Sequence, residues 1–165
     1  MNKILKTPIQ SEDVEQLKIG DIVFLDGYLV TCRDMAHRRL IDMGMQLPVE
    51  LDGLAILHAG PIVTKDGDGW KIVSIGPTTS MRMEVHEKEF IKQTGAKLVV
   101  GKGGMGPRTL AACRQHQAVY LHGIGGAGAY NAAAVAEVLE HFKAEEFGLP
   151  EAFWKIRLNR FQGIV

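Results

Sequence analysis

Three cations fall in the short stretches that link an extended run to a helical one. Arg33 stands between Tyr28-Leu29-Val30-Thr31 and a helix opening at Asp34. Arg82 closes the loop Gly76-Pro77-Thr78-Thr79-Ser80-Met81-Arg82, and Lys102 lies in Gly101-Lys102-Gly103-Gly104-Met105-Gly106. Loops at the carboxyl ends of strands are where open α/β sheets bind ligands. Helix N-termini at such junctions add free N–H donors and a partial positive charge, which favour anions. Two guanidinium groups and an ammonium suit a small dicarboxylate, since arginine grips a carboxylate in paired hydrogen bonds and lysine acts as a point charge. Thr78, Thr79 and Ser80 place three hydroxyls in the same loop. Any one of these cations alone is more often a solvated or salt-bridged surface residue. Their shared position at glycine-bearing junctions makes convergence on one anion the expected arrangement.

Other patterns carry less. Gly123-Ile124-Gly125-Gly126-Ala127-Gly128 spells the dinucleotide fingerprint, but the second strand and acidic residue that should follow about 20 positions on are not in place. A tight small-residue turn that packs a helix on a sheet is the reading it supports. Gly101-Lys102-Gly103-Gly104 lacks the spacing of a phosphate-binding P-loop. The six histidines show no metal-binding spacing, and His37 reads as a packing or hydrogen-bonding group. Met81, Met83 and Met105 read as core fillers. With two cysteines, Cys32 and Cys113, the chain cannot by itself provide the thiolates of an iron–sulfur cluster.

Elements that position these loops follow from composition and pattern. The 165 residues suffice for one domain with its own core, and nine of the 19 glycines fall between Gly95 and Gly128. Lys+Arg and Asp+Glu are both 19, a balance that argues against nucleic-acid binding. No apolar run approaches the roughly 20 residues that span a bilayer, and none marks a leader, so a cytoplasmic protein without a membrane segment is expected. The first twenty residues read as a lead-in. Asp26-Gly27 predicts a hairpin between Ile22–Leu25 and Tyr28–Thr31. A helix capped by Asp34 is expected to about Met43, a strand at Leu54–Leu57, and a hairpin around the polar turn 65–69. A helix over Val85–Thr94 and a strand at Lys97–Val100 follow. Pro107 opens a helix to His116, and Ala118–Leu121 is a strand. The Ala-rich run from Ala129 to Phe142 predicts a helix, and Phe153–Leu158 a last strand. Together these predict one α/β domain over residues 1–165 with a mixed sheet flanked by helices.

Leu29-Val30-Thr31-Cys32-Arg33-Asp34 with Ala36-His37, His58-Ala59-Gly60-Pro61-Ile62-Val63, Gly76-Pro77-Thr78-Thr79-Ser80-Met81-Arg82-Met83 and Lys97-Leu98-Val99-Val100-Gly101-Lys102-Gly103-Gly104-Met105-Gly106 resemble the β subunit of iron–sulfur hydro-lyases. That family includes class I fumarases and L(+)-tartrate dehydratase, and the likeness extends to Gly148-Leu149-Pro150-Glu151-Ala152-Phe153-Trp154. It implies a swivelling β/β/α domain and a partner α subunit that carries a [4Fe–4S] cluster, which this chain would not hold. It further implies Arg33, Arg82, Lys102 and Thr79 as substrate-binding residues, with Lys102 also steadying developing charge and Thr78 as the base. The implied reaction is dehydration of L-malate to fumarate or of L-tartrate to oxaloacetate. Cys32 before the Arg-Asp pair and the loop Lys102-Gly103-Gly104-Met105 depart from many fumarases towards the tartrate branch. Family members often continue for another strand or more beyond the equivalent of Phe161–Val165. Homo-dimerisation stays open, and the competing reading is a stand-alone module that binds a small anion or nucleotide on the glycine loops.

Overall fold

A computed structural model describes all of residues 1–165. Nine strands and six helices alternate along the chain: β1 Asn2–Lys6, α1 Ser11–Glu15, β2 Ile22–Thr31, α2 Asp34–Ile41, β3 Ala55–Leu57, β4 Ile62–Asp66, β5 Gly69–Ser74, α3 Glu84–Thr94, β6 Leu98–Gly101, α4 Pro107–His116, β7 Val119–Gly123, α5 Gly128–Ala133, β8 Val135–Phe142, α6 Ala144–Phe147 and β9 Phe153–Ile164, with a 3₁₀ turn at Ser80–Met83 before α3. The main sheet runs β1-β2-β3-β6-β7-β9-β8 and is closed by a further pairing of β2 with β9. Strands β2, β3, β6 and β7 are parallel, and β9 returns antiparallel to both β2 and β7, so these five strands form a barrel-like ring. The mixed α/β expectation holds. No helix is long and apolar enough to cross a membrane.

Period-two alternation builds two cores on the two faces of the ring. Leu29, Leu57, Leu98, Val100 and Leu121 point inward with Trp154, Ile156 and Phe161. Val30, Ile56 and Val99 point outward and are covered by Ala36 and Leu40 of α2, Phe90 and Ile91 of α3, and Ala112 of α4. Such alternation needs apolar residues at successive positions, which is why these parallel strands read as unbroken hydrophobic runs.

Several expectations are corrected. The lead-in contains β1, which pairs in parallel with β2. Asp26-Gly27 makes no hairpin: β2 runs straight through, with a register shift between Leu25 and Gly27 against β9. Gly27 takes φ +94° there, and a Cβ would run into Thr7, whose hydroxyl accepts the Tyr28 N–H. A long antiparallel partner therefore turns the Asp-Gly signal into a bulge. The Ala-rich helix stops at Ala133, and Val135–Phe142 is strand β8 on β9. Glu137 pairs with Arg157 at 3.0 Å and Glu140 with Lys155 at 3.6 Å across that ladder. Strand β9 extends to Ile164, where it meets both Ile22 and His122, so the ring closes with the residues present. Arg33, not Asp34, occupies the N-cap of α2, which ends at Ile41.

Candidate functional site

The loops that follow β2, β3, β6 and β7 all lie at one end of the ring, because parallel neighbours share direction. Residues 77–80 are laid across that end as an extra segment. Ala59 bridges Pro77, Thr79 bridges Lys102, and the Thr78 N–H donates to the His58 carbonyl at 2.6 Å. The Ser80 N–H donates to the Lys102 carbonyl, and the Lys102 N–H returns to Ser80 Oγ, both at 3.1 Å. Gly101 makes this close approach feasible, since a Cβ there would collide with Ser80 Oγ and sit 2.9 Å from the Tyr120 hydroxyl.

Asp34 joins Arg33 to Arg82, and Arg82 reaches on to Thr78. Arg82 donates from Nε to Asp34 Oδ1 at 2.8 Å, and from Nη2 to both Asp34 Oδ2 and Thr78 Oγ1 at 2.9 Å. Arg33 Nε lies 3.4 Å from Asp34 Oδ2 and 2.9 Å from Glu151 Oε1. Glu151 also accepts the Met35 N–H at 2.9 Å, fixing the turn where β2 enters α2. The Arg82 hydrogen bonds hold the Asp34 carboxyl down at about 2, and Asp34 in turn raises the Arg82 guanidinium. Lys102 differs: its side chain is exposed and no carboxylate stands within ion-pair distance. Its methylenes lie along Gly125, where a Cβ would approach Lys102 Cδ to 2.9 Å. The glycine string 123–128 thus serves as a close-packed turn. Thr79 is exposed beside Lys102. Both arginines are tied to internal carboxylates, and the lysine is the cation left for an external anion. Arg82, Lys102 and Thr79 face solvent, so the site is an open surface.

Sequence reasoning missed the groups that hold these cations. Asp34 and Glu151 are counter-ions, and Ser80 is a knot between loops. His37, His58 and Glu87 form a buried cluster behind them. His37 is indeed a hydrogen-bonding group, its Nδ1 2.9 Å from the Arg33 carbonyl. Met83 is buried as expected, whereas Met81 is half exposed.

An iron–sulfur cluster does not fit this donor set. Cys32 and Cys113 are free thiols packed in the outer core. Burial and then Glu87 push Cys32 well up and Cys113 to about 11, which keeps both protonated rather than thiolate ligands.

A family described as Fumarase C-terminus matches residues 2–165. The chain is 53 % identical over 166 residues to the L(+)-tartrate dehydratase subunit beta of Escherichia coli (strain K12), covering 100 % of this chain and 82 % of the relative. It is 43 % identical over 162 residues to the "Putative fumarate hydratase class I" of Geobacillus stearothermophilus, covering 98 % of this chain but 31 % of that longer protein. A "Putative L(+)-tartrate dehydratase subunit beta" of Methanocaldococcus jannaschii is 43 % identical over 167 residues, with coverage of 99 % and 83 %.

Proposed function

Since the chain belongs to the Fumarase C-terminus family, we propose that it is the β subunit of a hydro-lyase that dehydrates a 2-hydroxydicarboxylate, L-tartrate to oxaloacetate or L-malate to fumarate. The observation that carries this reading is the join of Arg33 to Arg82 through Asp34 and of Arg82 to Thr78, with Lys102 and Thr79 alongside on the bridge to residues 77–80. Residues 1–165 act as one domain. The likeness to a tartrate dehydratase subunit over the whole chain supports tartrate as the substrate to test first.

Lys102 takes one substrate carboxylate as a point charge, with Thr79 beside it. Arg33 and Arg82 take a carboxylate by exchanging it for part of their contact with Asp34 and Glu151. Removing a proton next to a carboxylate builds negative charge on that carboxylate, and preorganised cations stabilise that transition state more than the ground state. Thr78 is the proposed base. A hydroxyl is a weak base at neutral pH, and the Arg82 Nη2–H···Oγ1 contact supports it by favouring the anionic form of the oxygen. The open face leaves room for an α subunit to complete the site. The reading assigns the [4Fe–4S] cluster to that subunit, because Cys32 and Cys113 are unsuited to hold it.

The test is enedioate or oxaloacetate formation by the chain combined anaerobically with its cluster-bearing partner, comparing wild type with Lys102→Ala and Arg82→Ala. Losses of about 10²-fold or more in kcat/KM at unchanged melting temperature are expected. Undiminished turnover in both variants would remove the proposed site.

A further inference from the structure

Behind the cations lies a cluster that the proposed chemistry does not use. His37 on α2, His58 after β3 and Glu87 on α3 are each 0 % exposed. Glu87 Oε2 lies 2.9 Å from His37 Nε2 and 3.0 Å from His58 Nε2, while neither contact is aligned along a ring N–H and Oε1 has no partner. His37 stacks on Phe90 with centroids 4.1 Å apart and meets His58 edge-on at 5.2 Å. Two N/O ligands on one tetrahedral metal would stand about 3.3 Å apart at the usual bond lengths. The observed separations are shorter, and are those of direct ion-pair contacts between one carboxylate oxygen and two rings.

Counting protons defines the cluster. His37 Nδ1 faces the Arg33 carbonyl, which only accepts, so that nitrogen carries a hydrogen. Each Nε2 also carries a hydrogen, because a bare ring lone pair 2.9–3.0 Å from a carboxylate oxygen would be repelled by it. His58 Nδ1 lies 2.9 Å from Ser80 Oγ and takes the serine proton. Ser80 Oγ accepts from the Lys102 N–H and stands 3.1 Å from the Tyr120 hydroxyl, whose own proton goes to the Gly103 carbonyl at 2.9 Å; the serine proton goes to His58, the shorter of its two remaining contacts. Three protons on two imidazoles and one carboxyl make the trio neutral overall, with an imidazolium–carboxylate pair at its centre. A neutral assembly avoids the cost of an unpaired buried charge. Burial pushes the Glu87 carboxyl up, but His37 and His58 outweigh it and hold it at about 2; burial lowers His58.

The two ends of the trio reach different site loops. His37 holds the Arg33 carbonyl at the N-cap of α2, and His58 holds Ser80, which in turn holds the Lys102 backbone. We propose that His37, Glu87 and His58 are positioning residues: a buried charge-paired bridge that sets the distance between the Arg33–Asp34–Arg82 cluster and Lys102, and so the span of dicarboxylate the site accepts. The substrate consequence rests on the hydro-lyase reading; the proton arrangement does not.

The experiment uses the full chain with its α partner and two variants. Glu87→Gln removes the central charge, and Ser80→Ala removes the hydroxyl that joins His58, the Lys102 N–H and the Tyr120 hydroxyl and leaves the trio in place. Both are expected to raise KM for the dicarboxylate about tenfold, with kcat per correctly assembled complex changed by less than about threefold. Ring ¹⁵N spectra of the wild-type chain at neutral pH should show both His37 nitrogens protonated and His58 protonated at Nε2 alone. Lowered yield or melting temperature with unchanged KM in both variants would overturn the positioning role. A singly protonated His37, or a metal ion bound at the trio in stoichiometric amount, would overturn the charge-paired bridge. Absence of turnover by the wild-type complex would refute the hydro-lyase reading instead, and the ¹⁵N result would still decide the bridge.

Discussion

Removal of the Glu84 side chain should cost this fold more than an ordinary surface substitution. Glu84 opens α3, yet its carboxylate caps α4: it accepts from the N–H groups of Gly106 at 2.8 Å, Arg108 at 2.9 Å and Thr109 at 3.4 Å, and from the Thr109 hydroxyl at 2.5 Å. Helix α4 has no cap from its own Gly106. Glu84→Ala therefore loses an N-terminal cap, worth about 1 kcal/mol. It also leaves the Thr109 hydroxyl, on a residue only 1 % exposed, without its partner, for about 1–3 kcal/mol more. The sum is roughly 2–4 kcal/mol, or a melting temperature lower by about 5–15 °C for a domain of this size. Burial pushes the Glu84 carboxyl up, but the Thr109 hydroxyl and the three backbone donors prevail and hold it below 4.5. A depressed carboxylate contributes stability that is full above its unfolded pKa and is lost as the pH falls through the folded one. Wild type and variant should thus differ fully at pH 7 and converge below about pH 4.5. Thermal and urea unfolding followed by circular dichroism over that range would measure this. A loss under about 1 kcal/mol, or a gap that stays constant into acid, would refute the capping account.

Two further changes separate stability from binding. Asp34→Asn should lower stability by less than about 1 kcal/mol, because both it and Arg82 are more than a third exposed; what it contributes exists above pH 3.8 and is lost as the pH falls through about 2. Its larger effect is a several-fold rise in KM as Arg82 loses its orientation towards Thr78, read by steady-state kinetics, and unchanged kinetics would contradict the role given to Asp34. Gly101→Ala should destabilise the chain by about 1–3 kcal/mol through the clash with Ser80, and urea unfolding checks this.

What the sequence made legible depended on how local each signal was. The cations could be found because each stands between an apolar extended run and a helix, Lys102 among glycines, and α4 because Pro107 at its first position fixes its start. The carboxylate that caps α4 lies on another helix and leaves no local mark. Strand β8 was hidden for a related reason: Ala129–Ala134 has helix-forming composition, and only the ladder to β9 makes Val135–Phe142 extended. Asp26-Gly27 is a true turn signal that a twelve-residue partner strand overrides. His37, His58 and Glu87 sit on three separate elements, so no spacing rule unites them until the ring closes.

The most direct measurement is turnover of L-tartrate and L-malate in parallel by the chain combined with its α subunit, the partner proposed to carry the cluster, against each subunit alone. Dehydration of at least one substrate by the mixture, and by neither part, is the result expected of a β subunit that supplies the cationic half of the site. No turnover of either by a mixture with an intact cluster would contradict it, and binding of a small anion by the isolated chain would then favour a stand-alone module.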